Sequence, residues 1–145
     1  DIGLVINKND LTLNNYLSEK QIKFEGCIFH DPEYQNSKSA SVRKFECGLI
    51  DQLCLELKNF HFCQSKKALT DWAKSKKLKC LIFPFETVGN KYFMDNSFIS
   101  ELRSRDIEPI FYMRDWDRYA FPHASKGFFP FKKNISDLLV RNSII

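Results

Sequence analysis

The sequence predicts an α/β fold, a Rossmann-like three-layer domain with a five-stranded parallel sheet. Three observations lead there. Five apolar runs, at residues 2–6, 24–29, 60–63, 80–85 and 109–113, are short and continuous rather than alternating, and they are rich in β-branched or aromatic residues, as strands covered on both faces are. Amphipathic stretches long enough to be crossover helices fill the intervals between them. The composition suits a packed core: 43% hydrophobic and 28% charged residues, with 14 Phe against 5 Gly and 5 Pro in a chain of 145, so residues 1–145 read as a single domain.

Between the second and third runs, residues 39–59 place Val42, Phe45, Leu49, Ile50, Leu53, Cys54 and Leu57 at i, i+3, i+4 spacing with charges between. This predicts the longest helix, with Leu49, Leu53 and Leu57 buried. Ser65 is placed to cap the next helix, whose Leu69, Trp72 and Ala73 face inward and whose basic end (Lys74, Lys76, Lys77) complements the helix dipole. Residues 95–105 supply a further helix through Phe98, Ile99 and Leu102. From Asp115 the pattern changes. Trp116, Tyr119, Phe121, Phe128, Phe129 and Phe131, interleaved with Pro122 and Pro130, follow neither period. They read as an ordered loop that packs its rings on the domain body, followed by a short helix near residues 135–140.

The net charge of +4 is mild and scattered, which does not by itself mark a nucleic-acid module. The five cysteines (Cys27, Cys47, Cys54, Cys63, Cys80) form no CxxC pair and sit in apolar runs, so they read as buried thiols. With no apolar stretch of membrane-spanning length and no signal pattern, the expected location is the cytoplasm and no membrane partner is expected.

The sequence contains no GxGxxG after a strand, no GxxxxGK[ST], no GxSxG and no HExxH, which removes the common dinucleotide, NTPase, esterase and zincin readings. In an open parallel sheet a ligand belongs at the carboxyl ends of the strands, here residues 7–10, 30–31, 86–90 and 114–117. His30 and Asp31 could form an acid/base pair. Adjacent residues on an extended chain point to opposite faces, so a polar strand end with Asp31-Pro32 opening a turn is the favoured reading. No metal site is expected from His30, His61, His123 and Asp31. Asp115 and Asp117 read as surface carboxylates beside Arg114 and Arg118. Lys126, Lys132 and Lys133 among the Phe residues suggest either a platform for single-stranded nucleic acid or, the favoured reading, core rings with flanking charges.

Several segments resemble a known family in the same order along the chain. The stretch Leu4-Val5-Ile6-Asn7-Lys8-Asn9-Asp10-Leu11-Thr12-Leu13-Asn14-Asn15 is similar to the first strand and W-F-R-x-D-L-R-L-x-D-N sequence of the DNA photolyase/cryptochrome family. Asp10, Leu11, Leu13 and Asn14 or Asn15 keep the pattern, while Lys8 and Thr12 stand where the family has arginines. Residues 24–32, ending in Asp31-Pro32, resemble its second strand, and Arg43-Lys44-Phe45 with Leu49, Leu53 and Leu57 resembles its R-x-x-F helix and leucine ladder. Residues 68–85 look like its next helix and fourth strand, and Gly127-Phe128-Phe129-Pro130-Phe131-Lys132 resembles its closing F-T-P-F segment.

The resemblance implies the amino-terminal antenna domain alone, which in the family binds a light-harvesting pterin or deazaflavin. FAD and DNA are held there by a larger helical domain, absent from this sequence, that could partner this one in cis or in trans. The implied cofactor-binding residues are Asn7, Asp10, Asn90 and Lys91, with Lys91 at a position that is acidic in the family. No catalytic or metal residue is implied. Deoxyribodipyrimidine photo-lyase chemistry is then expected only when the chain is joined to a FAD domain. A second reading stays open, since fold alone does not settle function: a non-catalytic nucleotide- or phosphate-binding regulatory module.

Overall fold

The computed structural model describes residues 1–32, 39–86 and 92–141, and the chain divides into two compact units, Asp1–Tyr112 and Met113–Ile145. In the first, strands β1 (Ile2–Ile6), β2 (Glu25–Phe29), β3 (His61–Cys63), β4 (Cys80–Pro84) and β5 (Glu108–Tyr112) form one sheet. Its order is β3-β2-β1-β4-β5, with every neighbouring pair parallel. The crossovers are α1 (Leu13–Glu19), α2 (Ala40–Glu56), α3 (Lys66–Ser75) and α4 (Asn96–Arg103). Pro109 is tolerated because β5 is an edge strand.

Alternation along each strand sorts the side chains into two cores. Leu4, Ile6, Ile28 and Ile82 meet Leu13 and Leu17 of α1 and Ile50 and Leu53 of α2. On the other face Val5, Cys27, Phe29, Leu81 and Phe83 meet Leu69, Trp72 and Ala73 of α3 and Phe98 and Leu102 of α4. The three-layer parallel architecture expected from the sequence is thus present. So is the Ser65 cap, which accepts from the Ala68 amide, and Ser39 caps α2 in the same way, accepting from the Val42 amide.

The longest helix behaves differently from its pattern. At 17 residues α2 is about 25 Å long, whereas five-residue β2 spans about 16 Å. The excess overhangs the carboxyl edge of the sheet. Ile50 and Leu53 are buried, but Leu49 and Leu57 are only half-buried, and Val42 and Phe45 are exposed, Phe45 by 67%. Cys47, on the overhanging part, is exposed and Cys54 and Cys80 are half-buried, so only Cys27 and Cys63 are the buried thiols the sequence suggested.

Helices α1, α3 and α4 end alike, in left-handed Gln21, Lys77 and Asp106. In each, the following residue closes a six-residue loop onto the last turn: Ile22 to Leu17 (3.1 Å), Leu78 to Ala73 (3.0 Å) and Ile107 to Leu102 (3.0 Å). Leu78 and Ile107 bury their side chains beneath these ends. Packing of that apolar residue holds a conformation usually left to glycine.

The second unit is helical rather than looped: α5 (Asp115–Ala120), a 3-10 helix (Phe121–Lys126), α6 (Phe128–Lys132) and α7 (Ile135–Arg141). Each is at most two turns, too short to display a period in sequence. Gly127, at φ 86°, supplies the break before α6. The expectation that the tail rings are buried is corrected: Phe128 and Phe129 are 64% and 79% exposed, and Phe131 is half-buried. The short helix near residue 135 is present, with Leu138 buried. Asp115 pairs with Arg118 at 2.9 Å, a mixed-charge surface pair as expected.

Candidate ligand site at the carboxyl edge of the sheet

Strand order reverses between β1 and β4, so α1 and α4 leave those strands toward opposite faces, and their carboxyl ends are the place where an open parallel sheet takes a ligand. The loop leaving β1 is a tight structure. Asn7, buried, accepts from the Asn9 amide through Oδ1 at 2.8 Å, and its carbonyl accepts from the Asp10 amide at 3.1 Å. Asp10 Oδ1 accepts from the Thr12 amide at 3.0 Å, feeding the chain into α1. The structure therefore brings Asn7 and Asp10 together and uses these oxygens to shape the loop. Asn90 and Lys91 lie outside the described residues.

On the β4 side, Glu86 is buried and its Oε2 accepts from the amides of Phe93 (2.8 Å) and Met94 (3.1 Å). Burial pushes this carboxyl upward, against the pull of those two amides and of Lys66 and Lys8. Lys66, at the start of α3, lies 3.5 Å from Asp95 and stands over the Tyr92 ring. Tyr92 packs on Phe29 and Phe93 and donates its hydroxyl to Asp31. Lys8 reaches from the β1 loop to Glu46 of α2 at 3.6 Å.

His30 and Asp31 part to opposite faces, as extended backbone requires. The His30 ring lies against Cys47 of α2, with Nε2 3.7 Å from Sγ, while Asp31 meets Tyr92. They are no acid/base pair. Among the described residues no cluster of His, Cys, Asp or Glu could hold a metal, and no helix is long and apolar enough to cross a membrane.

The edge thus carries two cations, Lys8 and Lys66, from different elements and a buried carboxylate between the fields of both. Glu86 fell within a strand-end window that the sequence marks out. Lys66 follows the Ser65 cap and so sits at the mouth of its helix, a position the sequence contained. Glu46 and Cys47 carried no such signal, because they reach the edge only through the overhang of α2. The chain matches no protein-family model, and it matches no curated protein.

Proposed function

We propose that this chain is a photolyase/cryptochrome-like antenna domain, a non-catalytic module that holds a flat heterocyclic chromophore at the carboxyl edge between β1 and β4. The observation that supports the reading is that two of the segments resembling the family, residues 4–15 and 68–85, carry β1 and β4, the neighbouring strands between which strand order reverses. A pterin and a deazaflavin both present a pyrimidine-type edge of N–H donors and carbonyl acceptors. Asn14, on the first turn of α1, supports a fit: its Oδ1 is buried and makes no hydrogen bond among the described residues, so an acceptor is left for a ring N–H. Lys8 and Lys66 would serve ring carbonyls or an anionic side arm. When bound, the chromophore would supply light absorption and energy transfer, and this chain would supply orientation and exclusion of water.

The two lysines also favour a second reading, a phosphate-bearing nucleotide held at the same edge. One experiment separates them. Purified chain is mixed with a deazaflavin, a reduced folate-type pterin or an adenine nucleotide and passed through gel filtration. Co-elution of an absorbance band beyond the aromatic peak, lost in Asn14→Leu, supports the antenna reading. Retention of the nucleotide alone supports the second reading, and retention of none overturns both. With no FAD-holding segment in this sequence, the isolated chain is expected to leave pyrimidine dimers unrepaired under blue light.

A further inference from the structure

We propose that Cys47 is a thiol-exchange site served by His30, at which a low-molecular-weight disulfide S-thiolates the overhanging turn of α2. Two residues distant in sequence make the site. Cys47 is exposed, and its Sγ lies 3.7 Å from Nε2 of His30, which is itself buried at the end of β2. The His30 backbone is anchored by its amide hydrogen bond to the Cys63 carbonyl at 3.0 Å, so the ring is presented to the helix rather than to solvent.

In the tautomer with its proton on Nδ1, Nε2 takes the proton as Sγ attacks. The sulfur electron pair forms a new S–S bond to one sulfur of the incoming disulfide. That disulfide's own bond breaks, and its second sulfur leaves as a thiolate that recovers the proton from His30 and departs as a thiol. The small disulfide is the oxidant, so no other redox partner enters. Burial, the largest influence, lowers the imidazole from its ordinary value and keeps it neutral and able to accept a proton near pH 7. Glu46 and Asp51 on α2 and Asp31 beside it in the chain favour the imidazolium that the step creates, while Lys8 opposes it. The other thiols are internal controls. Cys27 and Cys63 are buried, and burial pushes the half-buried Cys54 and Cys80 thiols up.

The test treats the full chain with an aromatic nitrobenzoate disulfide whose released thiolate is coloured, and maps the modified cysteine by mass spectrometry. Cys47 is expected to react first, and His30→Gln to slow it by at least about ten-fold while Cys54 and Cys80 keep their rates. A smaller slowing, or reaction at Cys47 no faster than at Cys80, overturns the proposal. Should His30→Gln fail to fold by circular dichroism, the pH profile of the wild-type Cys47 reaction decides. A rate that is level above the ordinary imidazole value and falls below it supports the pair, and a rate that simply tracks hydroxide overturns it.

Discussion

Phe93→Ala tests whether the candidate site stands on the aromatic core beneath it. Phe93 is 1% exposed and touches four rings: Phe29 and Phe83 at 4.7 Å, Tyr92 at 4.9 Å and Phe98 at 5.9 Å between centroids. Its amide is also one of the two donors to Glu86. Removing the ring loses its transfer free energy, about 1.5–3 kcal/mol. It also leaves a cavity that four partly immobile rings cannot close, which brings the total to about 3–5 kcal/mol. At a urea dependence of about 2 kcal/mol per molar, the midpoint should fall by roughly 1.5–2.5 M with an unchanged slope. The assay is fluorescence of a Trp116→Phe protein, in which Trp72, buried in the same core, is the remaining indole. Phe45→Ala, which removes an exposed ring from α2, is the control and should cost no more than about 0.5 kcal/mol. A Phe93→Ala loss below about 1.5 kcal/mol, or a Phe45→Ala loss of equal size, would refute the packing argument.

Three further outcomes follow from the same structure. Leu53→Ala should cost about 2–5 kcal/mol and Leu49→Ala clearly less, because only the former lies over the sheet, and equal losses by urea unfolding would show that α2 does not overhang. Lys77→Gly should raise stability by about 0.5–1 kcal/mol, since the left-handed backbone there opposes any side chain, and a decrease would mean that Lys77 contributes more than its conformation costs. His30 is held below its ordinary value of 6.5, so the folded state binds fewer protons than the unfolded one. Its contribution to stability is present above pH 6.5 and is lost as pH falls below it, which the melting temperature of wild type should show and that of His30→Gln should not.

Little of the candidate site was legible in the sequence, and the reason is geometric. The strand-end windows held Asn7, Asp10, His30, Asp31 and Glu86, because a parallel sheet places ligands there whatever the side chains are. Which of these atoms are spent on local structure was not legible. Side-chain oxygens of Asn7 and Asp10 are used in the β1 loop, and Glu86 Oε2 accepts from the amides of both Phe93 and Met94. The pairings Lys8–Glu46, His30–Cys47 and Asp31–Tyr92 join residues 17 to 61 apart, and no local pattern encodes them.

The sequence by itself determined the parallel α/β sheet, its five strands and the cap of α3. Continuous apolar runs, amphipathic gaps and the Ser65 cap are properties of a few neighbouring residues, and they act on backbone geometry before any tertiary contact forms. Only the tertiary structure decided which part of the long apolar stripe is buried, because that depends on the length of α2 relative to the strands under it. It also decided that Gln21, Lys77 and Asp106 end their helices without glycine, since the free energy holding them there comes from Ile22, Leu78 and Ile107 packing beneath the helix ends. The tail's secondary structure was hidden for the opposite reason. Helices of five to seven residues complete too few turns to leave a periodic trace, and their limits are drawn by Gly127 and the prolines rather than by an apolar face.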